Sequence, residues 1–267
     1  MASSGIALDG ARVVLTGASG GLGGAIAQTL NDKGARLVLT GRRADRLEAL
    51  ARGLRDAEVE SCDFADREGI GAFAERVQDA DVLVANAALP GAGTLDDFTA
   101  LEIDRVLDVN LRAPILLARH LAPLMTARGR GQLVFVSSMG AKLPVSRISV
   151  YTATKAGLRG FASCLRQELA GTGVGVSVVF PGSVRDAGMF ADSGATGGGG
   201  TVTSAAVAAG VVRAIKHNKA EVNIAPAPLR AMAILANVAP DAFAWLARRA
   251  GADKQTAALA AGLRDRR

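Results

Sequence analysis

A chain of 267 residues, 49% apolar but only 4% aromatic, suits one large α/β domain, alone or extended, with a core of Ala, Val, Leu and Ile. Its net charge of +6 is uneven, with seven Arg and Lys against three Asp between Pro226 and Arg267. No basic stretch interleaves with aromatics as base stacking requires, so nucleic acid is excluded as a partner and the basic end reads as a solvated helix.

The opening MASSGIALDG lacks a basic segment followed by an apolar core and is not expected to be a signal peptide. Ala11–Thr16 is a β-branched run that predicts a strand, and Gly17, Gly20, Gly21, Gly23 and Gly24 follow it at once. Ala25–Leu30 then reads as a helix. Strand, glycine turn and helix make the setting for a phosphate site, because glycine lets the backbone approach a pyrophosphate that the helix amino terminus stabilises. A plain tight connection would look the same, and the G-x-G-x-x-G fingerprint is absent.

Arg36–Thr40 is the second strand, and Gly41-Arg42-Arg43 closes it. In a dinucleotide fold an acid here bonds the ribose of NAD, whereas arginine accommodates the 2′-phosphate of NADP. Two guanidiniums and no acid stand at the strand end, which favours NADP(H) over NAD(H). A helix over Ala44–Gly53 and a strand over Glu58–Cys62 follow, with Asp63 and Phe64 at the strand's end. Next come a helix over Arg67–Gln78 and a strand over Asp81–Asn86, ending in Asn86, Ala87 and Ala88, small enough for a ribose or ring to pass close. Leu101–Ala127 is one long helical pattern enclosing Asn110. Leu133–Ser137, Val150–Leu169 and Gly175–Phe180 read as strand, helix and strand, the last stopped by Pro181 and Gly182. The alternation predicts a parallel, doubly wound sheet.

Asp186–Thr203 is glycine-rich and reads as a loop, either a lid over substrate or plain surface, with an apolar strand at Glu221–Ile224 beyond it. No apolar run approaches the ~18–20 residues that span a bilayer. Cys62 and Cys164 form no framework and imply reduced thiols in the cytoplasm. His120 and His217 have no second ligand at metal spacing, so no metal site is expected.

The chemistry concentrates at Ser138–Lys155. Tyr151 is the only tyrosine, and Lys155 lies four residues on, on the same helical face. An ammonium held there would favour the phenolate and pull the phenol pKa below its ordinary ~10, making Tyr151 an acid/base candidate. The alternative is a half-buried tyrosine beside a solvated lysine. Ser138 stands 13 residues before Tyr151, at the carboxyl end of a strand, where open α/β sheets bind ligands.

From about Gly10 to Ala225 these residues resemble the classical short-chain dehydrogenases/reductases. Thr16-Gly17 with Gly21 and Gly23 matches the T-G-x-x-x-G-x-G turn, which also includes Ser19, Gly20 and Leu22. Asp63 matches the acid that contacts adenine, and Asn86-Ala87 matches part of N-N-A-G. Asn110, Ser138, Tyr151 and Lys155 match the catalytic tetrad, and Pro181-Gly182, with Val184 beyond, matches the P-G segment. The resemblance implies a Rossmann-like, three-layer α/β/α domain and hydride transfer between a nicotinamide and a carbonyl or alcohol carbon. It implies that Tyr151 moves the proton and that Lys155 lowers the tyrosine pKa and binds the nicotinamide ribose. Ser138 would hold the substrate oxygen, Asn110 would fix a relay water, and the long helices at Leu101–Ala127 and Val150–Leu169 would assemble a homodimer or homotetramer.

Three features depart from the pattern. Ala85 and Ala88 replace the first Asn and the Gly of N-N-A-G. Asp186 stands where many relatives carry a threonine near the nicotinamide carboxamide. The tail after Ala225 has no counterpart in shorter members; Pro240 divides it into two apolar helices, the second carrying Trp245, the only tryptophan. It reads as a cleft cover, an oligomer contact or, third, a membrane-surface helix pair. The expectation is a catalytic domain over residues 1–225 with a helical extension, 226–267, packed on it.

Leu89, Pro90, Leu143, Pro144, Val184, Met189 and Phe190 are pocket candidates and imply an apolar substrate around its carbonyl. The leading function is NADP(H)-dependent reduction of a ketone or aldehyde, or the reverse. The alternatives are an NAD-preferring alcohol dehydrogenase, a non-catalytic NADP(H) sensor, which would need no Tyr/Ser pair, and a membrane-peripheral lipid-modifying reductase.

Overall fold

The structure is a computed structural model that describes residues 5–194 and 200–263. Its first half alternates strand and helix: β1 (Arg12–Thr16), α1 (Gly21–Asn31), β2 (Arg36–Gly41), α2 (Ala44–Ala51), β3 (Ala57–Ser61), α3 (Gly69–Arg76) and β4 (Val82–Ala85). Helix α4 (Ala100–Leu107) runs through a π-helical turn, Asp108–Arg112, into α5 (Ala113–Ala127). Then come β5 (Gly131–Val136), α6 (Ser149–Glu168) and β6 (Val174–Pro181). A short ribbon of β7 (Ser183–Val184) and β8 (Thr201–Val202) brackets α7 (Gly188–Asp192). The chain ends with α8 (Ser204–His217), β9 (Glu221–Ile224), α9 (Ala227–Val238), α10 (Pro240–Arg249) and α11 (Ala252–Gly262).

Seven strands form one sheet in the order β3-β2-β1-β4-β5-β6-β9, and every neighbouring pair is parallel. The fold is therefore the Rossmann-like three-layer α/β/α arrangement. β4, β5 and β6 are buried at every residue, which explains their unbroken apolar runs, while the edge strand β3 is partly exposed and carries Glu58 and Glu60. Successive side chains feed opposite faces. Leu83, Leu133 and Phe135 pack with α3, α5, α6, α9 and α10, whereas Val82, Val84, Val134 and Val136 pack with α1, α2 and α8. Strand order reverses between β1 and β4, so a crevice opens outside their carboxyl ends, where such sheets bind ligands.

The structure differs from the sequence expectations at several elements. α1 begins at Gly21 rather than Ala25, so the turn glycines are themselves its first turn. The long helix at Leu101–Ala127 is interrupted by the π-helical turn that contains Asn110. α8 fills a stretch where no helix was expected; its stripe of Val207, Val211, Ala214 and Ile215 is made of small side chains. The Asp186–Thr203 loop holds α7 and the edge of the ribbon, while residues 195–199, with most of its glycine run, lie outside the described residues. The tail has three helices rather than two.

Candidate active site

The turn after β1 is shaped by close contacts. Gly17 has φ +68°, and a Cβ there would lie 2.7 Å from the Ala87 Cα at the end of β4. A Cβ on Gly23 would lie 2.2 Å from the Gly17 carbonyl, so α1 reaches the turn only because Gly23 has no side chain. Thr16 Oγ1 accepts from the amides of Asn86 and Ala87, both at 2.9 Å, and Asn86 Nδ2 donates to the Thr16 carbonyl at 3.0 Å. The two sides of the crevice are thereby tied together. No side chain caps α1 and no acid stands in its first turn, which leaves its leading amides for an anion. These features fit a dinucleotide pyrophosphate lying against Ser19, Gly20, Gly21 and Leu22.

At the end of β2, Arg42 and Arg43 are both exposed. Arg43 donates from Nη2 to the Ser19 carbonyl at 3.0 Å, holding the glycine turn beside the strand end. Asp63 is exposed and accepts from the Ala65 amide at 3.0 Å in a local turn. Phe64 turns inward, edge-on to Phe73 with ring centroids 5.9 Å apart, so its ring belongs to the core and is not available to a nucleotide.

Ser138, Tyr151 and Lys155 meet beyond the carboxyl end of β5. Ser138 caps the short 3-10 turn Met139–Ala141, its Oγ accepting from the Gly140 amide at 3.0 Å, and it hydrogen-bonds the Tyr151 phenol. The stripe Val150, Thr154, Lys155, Leu158 and Ala162 faces inward and carries Lys155 with it. Lys155 Nζ donates to the Val136 carbonyl at 2.9 Å and sits 5.7 Å from the Tyr151 ring centroid. The tyrosine therefore behaves differently from the sequence expectation. Burial raises its pKa above the usual 10.0, and the Ser138 hydrogen bond opposes the rise; Lys155 does not offset it. The price of burial falls on the lysine as well, whose pKa drops from 10.5 to about 8.

Asn110 is fully buried at the π-helical turn, an irregularity common at functional sites. Its Oδ1 accepts from the Leu89 amide at 2.7 Å, and its Nδ2 donates to the Leu89 carbonyl at 2.9 Å and to Thr154 Oγ1 at 3.4 Å. The side chain thus pins the β4 loop to α6; it does not reach Tyr151 directly. Thr154 in turn donates to the Tyr151 carbonyl at 2.7 Å, and Ser137 Oγ donates to the Lys155 carbonyl at 2.9 Å.

The pocket candidates divide. Leu89, Leu143 and Val184 lie in the two main cores, and Pro144 is exposed. Pro90 is buried, and Phe190 is half-buried on α7. Met189 alone joins the cluster around Tyr151, with Ala92, Val145, Ile148, Leu259, Ala260 and Leu263. The last three come from α11 and its end, so the tail packs over Tyr151. α11 is held there by Asp253 and Thr256, which hydrogen-bond Ser146, and by Gly262, where a Cβ would fall 2.1 Å from the Ser193 carbonyl.

Asp186 accepts from the amide and the hydroxyl of Ser204, at 2.8 and 3.0 Å, and these bonds hold its pKa below the usual carboxylate value. It serves the first turn of α8, which gives the carboxylate a structural partner where relatives carry threonine. Pro181 ends β6 and Gly182 donates to the Ile224 carbonyl at 2.8 Å, fixing the exit of this loop. Sequence reasoning missed Gly91, where a Cβ would meet the Tyr151 amide nitrogen at 2.8 Å, and the α11 residues. Nothing local in the sequence marks either, because both act through contacts with distant segments.

The family model described as "short chain dehydrogenase" matches residues 11–197. The ketoacyl reductase HetN of Nostoc sp. strain PCC 7120 is 36% identical over 232 residues, covering 83% of this chain and 81% of that protein. A metagenomic short-chain oxidoreductase solved in complex with NADP superposes with TM-score 0.70 at 36% identity, covering 82% of this chain and 98% of its own. A short-chain dehydrogenase from Sphingobium yanoikuyae in complex with NADPH gives TM-score 0.74 at 26% identity, covering 80% and 87%. A match over most of the length, a shared sheet and the same order of motifs agree: the chain belongs to the classical short-chain dehydrogenase/reductase family.

Proposed function

We propose that the protein is an NADP(H)-dependent carbonyl reductase acting on an apolar ketone or aldehyde. The observation that carries this reading is the hydrogen bond between the Ser138 and Tyr151 hydroxyls with the buried Lys155 ammonium near the phenol ring, on the same sheet whose first strand leads into the uncapped α1. A reduced nicotinamide cofactor whose pyrophosphate the α1 turn would hold would supply the hydride. Ser138 holds the carbonyl oxygen, and Tyr151 gives it the phenolic proton. The raised pKa of Tyr151 keeps the phenol protonated near neutral pH, as a proton donor to the carbonyl must be. Lys155, cationic below about 8, is the residue for the nicotinamide ribose, and the Ser138 hydroxyl supports the phenolate left behind. Asn110 keeps α6 and the β4 loop in register and is the candidate for ordering a relay water.

The cofactor assignment extends to Gly17, Gly23, Asp63, Asn86, Ala87, Ala88, Gly182 and Val184 as the residues along its length. NADP(H) rather than NAD(H) is supported by Arg42 and Arg43 and by the NADP complexes among similar structures. The apolar cluster around Tyr151 favours a substrate with an aliphatic body, and the relative named a ketoacyl reductase points to a 3-oxoacyl chain as the first to try. Residues 1–225 form the catalytic domain, with 226–267 as its cover. Self-association through α4, α5 and α6, where Leu101 and Leu124 are exposed, and a reducing cytoplasmic setting with both cysteines free complete the reading.

Turnover of a panel of 3-oxoacyl thioesters and apolar ketones with NADPH tests it. Wild-type protein oxidises NADPH with at least one member. Replacing Arg42 by Asp costs NADPH about tenfold in affinity relative to NADH, about 1.4 kcal/mol. No turnover with any member, or an unchanged cofactor ratio, contradicts the respective half of the proposal.

A further inference from the structure

Helices α9 and α10 carry apolar faces that stay exposed among the described residues. The inner side of α9 sends Leu229, Met232, Ala233 and Ala236 into the core, yet its outer side carries Ala227, Ala231, Ile234 and Val238. α10 buries Phe243 and leaves Trp245 and Leu246 outside. Seven large apolar side chains are exposed among the described residues, and four of them lie here: Ile234 at 67%, Val238 at 79%, Trp245 at 55% and Leu246 at 37%. An exposed apolar stripe flanked by cations marks an interaction surface.

The charges around this surface select the medium. Between Pro226 and Arg249 the only acid is Asp241, against Arg230, Arg248 and Arg249, all exposed. The Arg249 guanidinium lies over the Trp245 ring, 4.9 Å from its centroid, joining a cation to the most interfacial of side chains. A two-fold contact between copies would bring like charges together with little to neutralise them. Anionic headgroups supply the missing countercharge, while Trp245, Ile234 and Val238 reach into the acyl boundary. The helices have 12 and 10 residues, so they lie on a bilayer and do not cross it.

We propose that α9 and α10 dock the protein on an anionic membrane surface. The docked helices lead directly into α11, which packs against Tyr151, so the docking surface and the cover of the site are consecutive in the chain. Docking would hold whether or not Tyr151 reduces a carbonyl.

The chain's only tryptophan reports on this surface without a substitution. Adding phosphatidylcholine vesicles that contain phosphatidylglycerol shifts Trp245 emission to the blue and carries the protein into the vesicle pellet. Pure phosphatidylcholine vesicles bind at least tenfold more weakly, and high salt releases the protein. The pair Arg248→Gln/Arg249→Gln and the pair Ile234→Ser/Val238→Ser each weaken binding by about tenfold or more while NADPH affinity is unchanged. An unshifted Trp245 spectrum, or vesicle binding that survives both pairs, overturns the proposal. So does a concentration-dependent dimer in light scattering that Ile234→Ser/Val238→Ser abolishes, because the surface is then a contact between copies.

Discussion

Lys155 is an ammonium held in a dry place by one carbonyl, and that arrangement works against folding. Its folded pKa of about 8 lies below the unfolded 10.5, so the unfolded chain binds more protons between these values. The penalty is therefore complete below pH 8 and disappears as pH rises toward 10.5. Lys155→Met should stabilise the protein at pH 7 by about 1–2 kcal/mol, since a penalty of at most ~3 is partly offset by the orphaned Val136 carbonyl. Urea melts of both proteins should converge as pH approaches 10.5; a gap that does not depend on pH refutes the assignment. Tyr151→Phe removes the proton donor and leaves the nucleotide cradle intact, so turnover should fall about 10²–10⁴-fold with NADPH affinity unchanged, as read by steady-state kinetics and titration. At this scale the spacing put Tyr151 and Lys155 on one helix and Ser138 at the end of a strand, and the structure has that arrangement. It misjudged the phenol, because burial depends on which distant segments cover it.

Among the elements, glycines distinguish packing from propensity. Gly23→Ala puts a methyl group against the Gly17 carbonyl and should cost about 1–3 kcal/mol and most dinucleotide affinity. Gly24→Ala, one position along the same helix, meets nothing and should stabilise by about 0.4–1 kcal/mol. Thermal melts with and without NADPH check both. The strands were legible because burial on both faces writes continuous Val and Leu runs. α8 was not, since its inner face is mostly alanine, glycine and valine, with Ile215 its one larger side chain: a Cβ on Gly210 would already touch Ile224 at 2.4 Å. The π-helical turn at Asn110 leaves the apolar pattern on either side helical, so periodicity does not reveal it.

The whole molecule adds a cover that no motif announces. α11 meets Tyr151 and Ile148 across more than a hundred residues of sequence, and Met189 across about seventy, and its amphipathicity is too weak to say where it packs. Removing residues 251–267 should open the site. KM for an apolar carbonyl should rise about tenfold or more, and the pH profile of reduction should move to lower pH as Tyr151 gains solvent and its pKa falls. NADPH affinity should stay the same, because the cradle at α1 lies elsewhere; a profile and KM that match the full chain would show that α11 is not a cover. The central claim is that a hydride passes from a nicotinamide to a carbonyl carbon under Tyr151. NADPH deuterated at its transferable position, incubated with a 3-oxoacyl thioester, tests it by mass spectrometry of the product. The account predicts deuterium on the new carbinol carbon with wild-type protein and none with Tyr151→Phe. Tight NADPH binding without label transfer to any carbonyl in the panel would contradict it and leave a nucleotide sensor in its place.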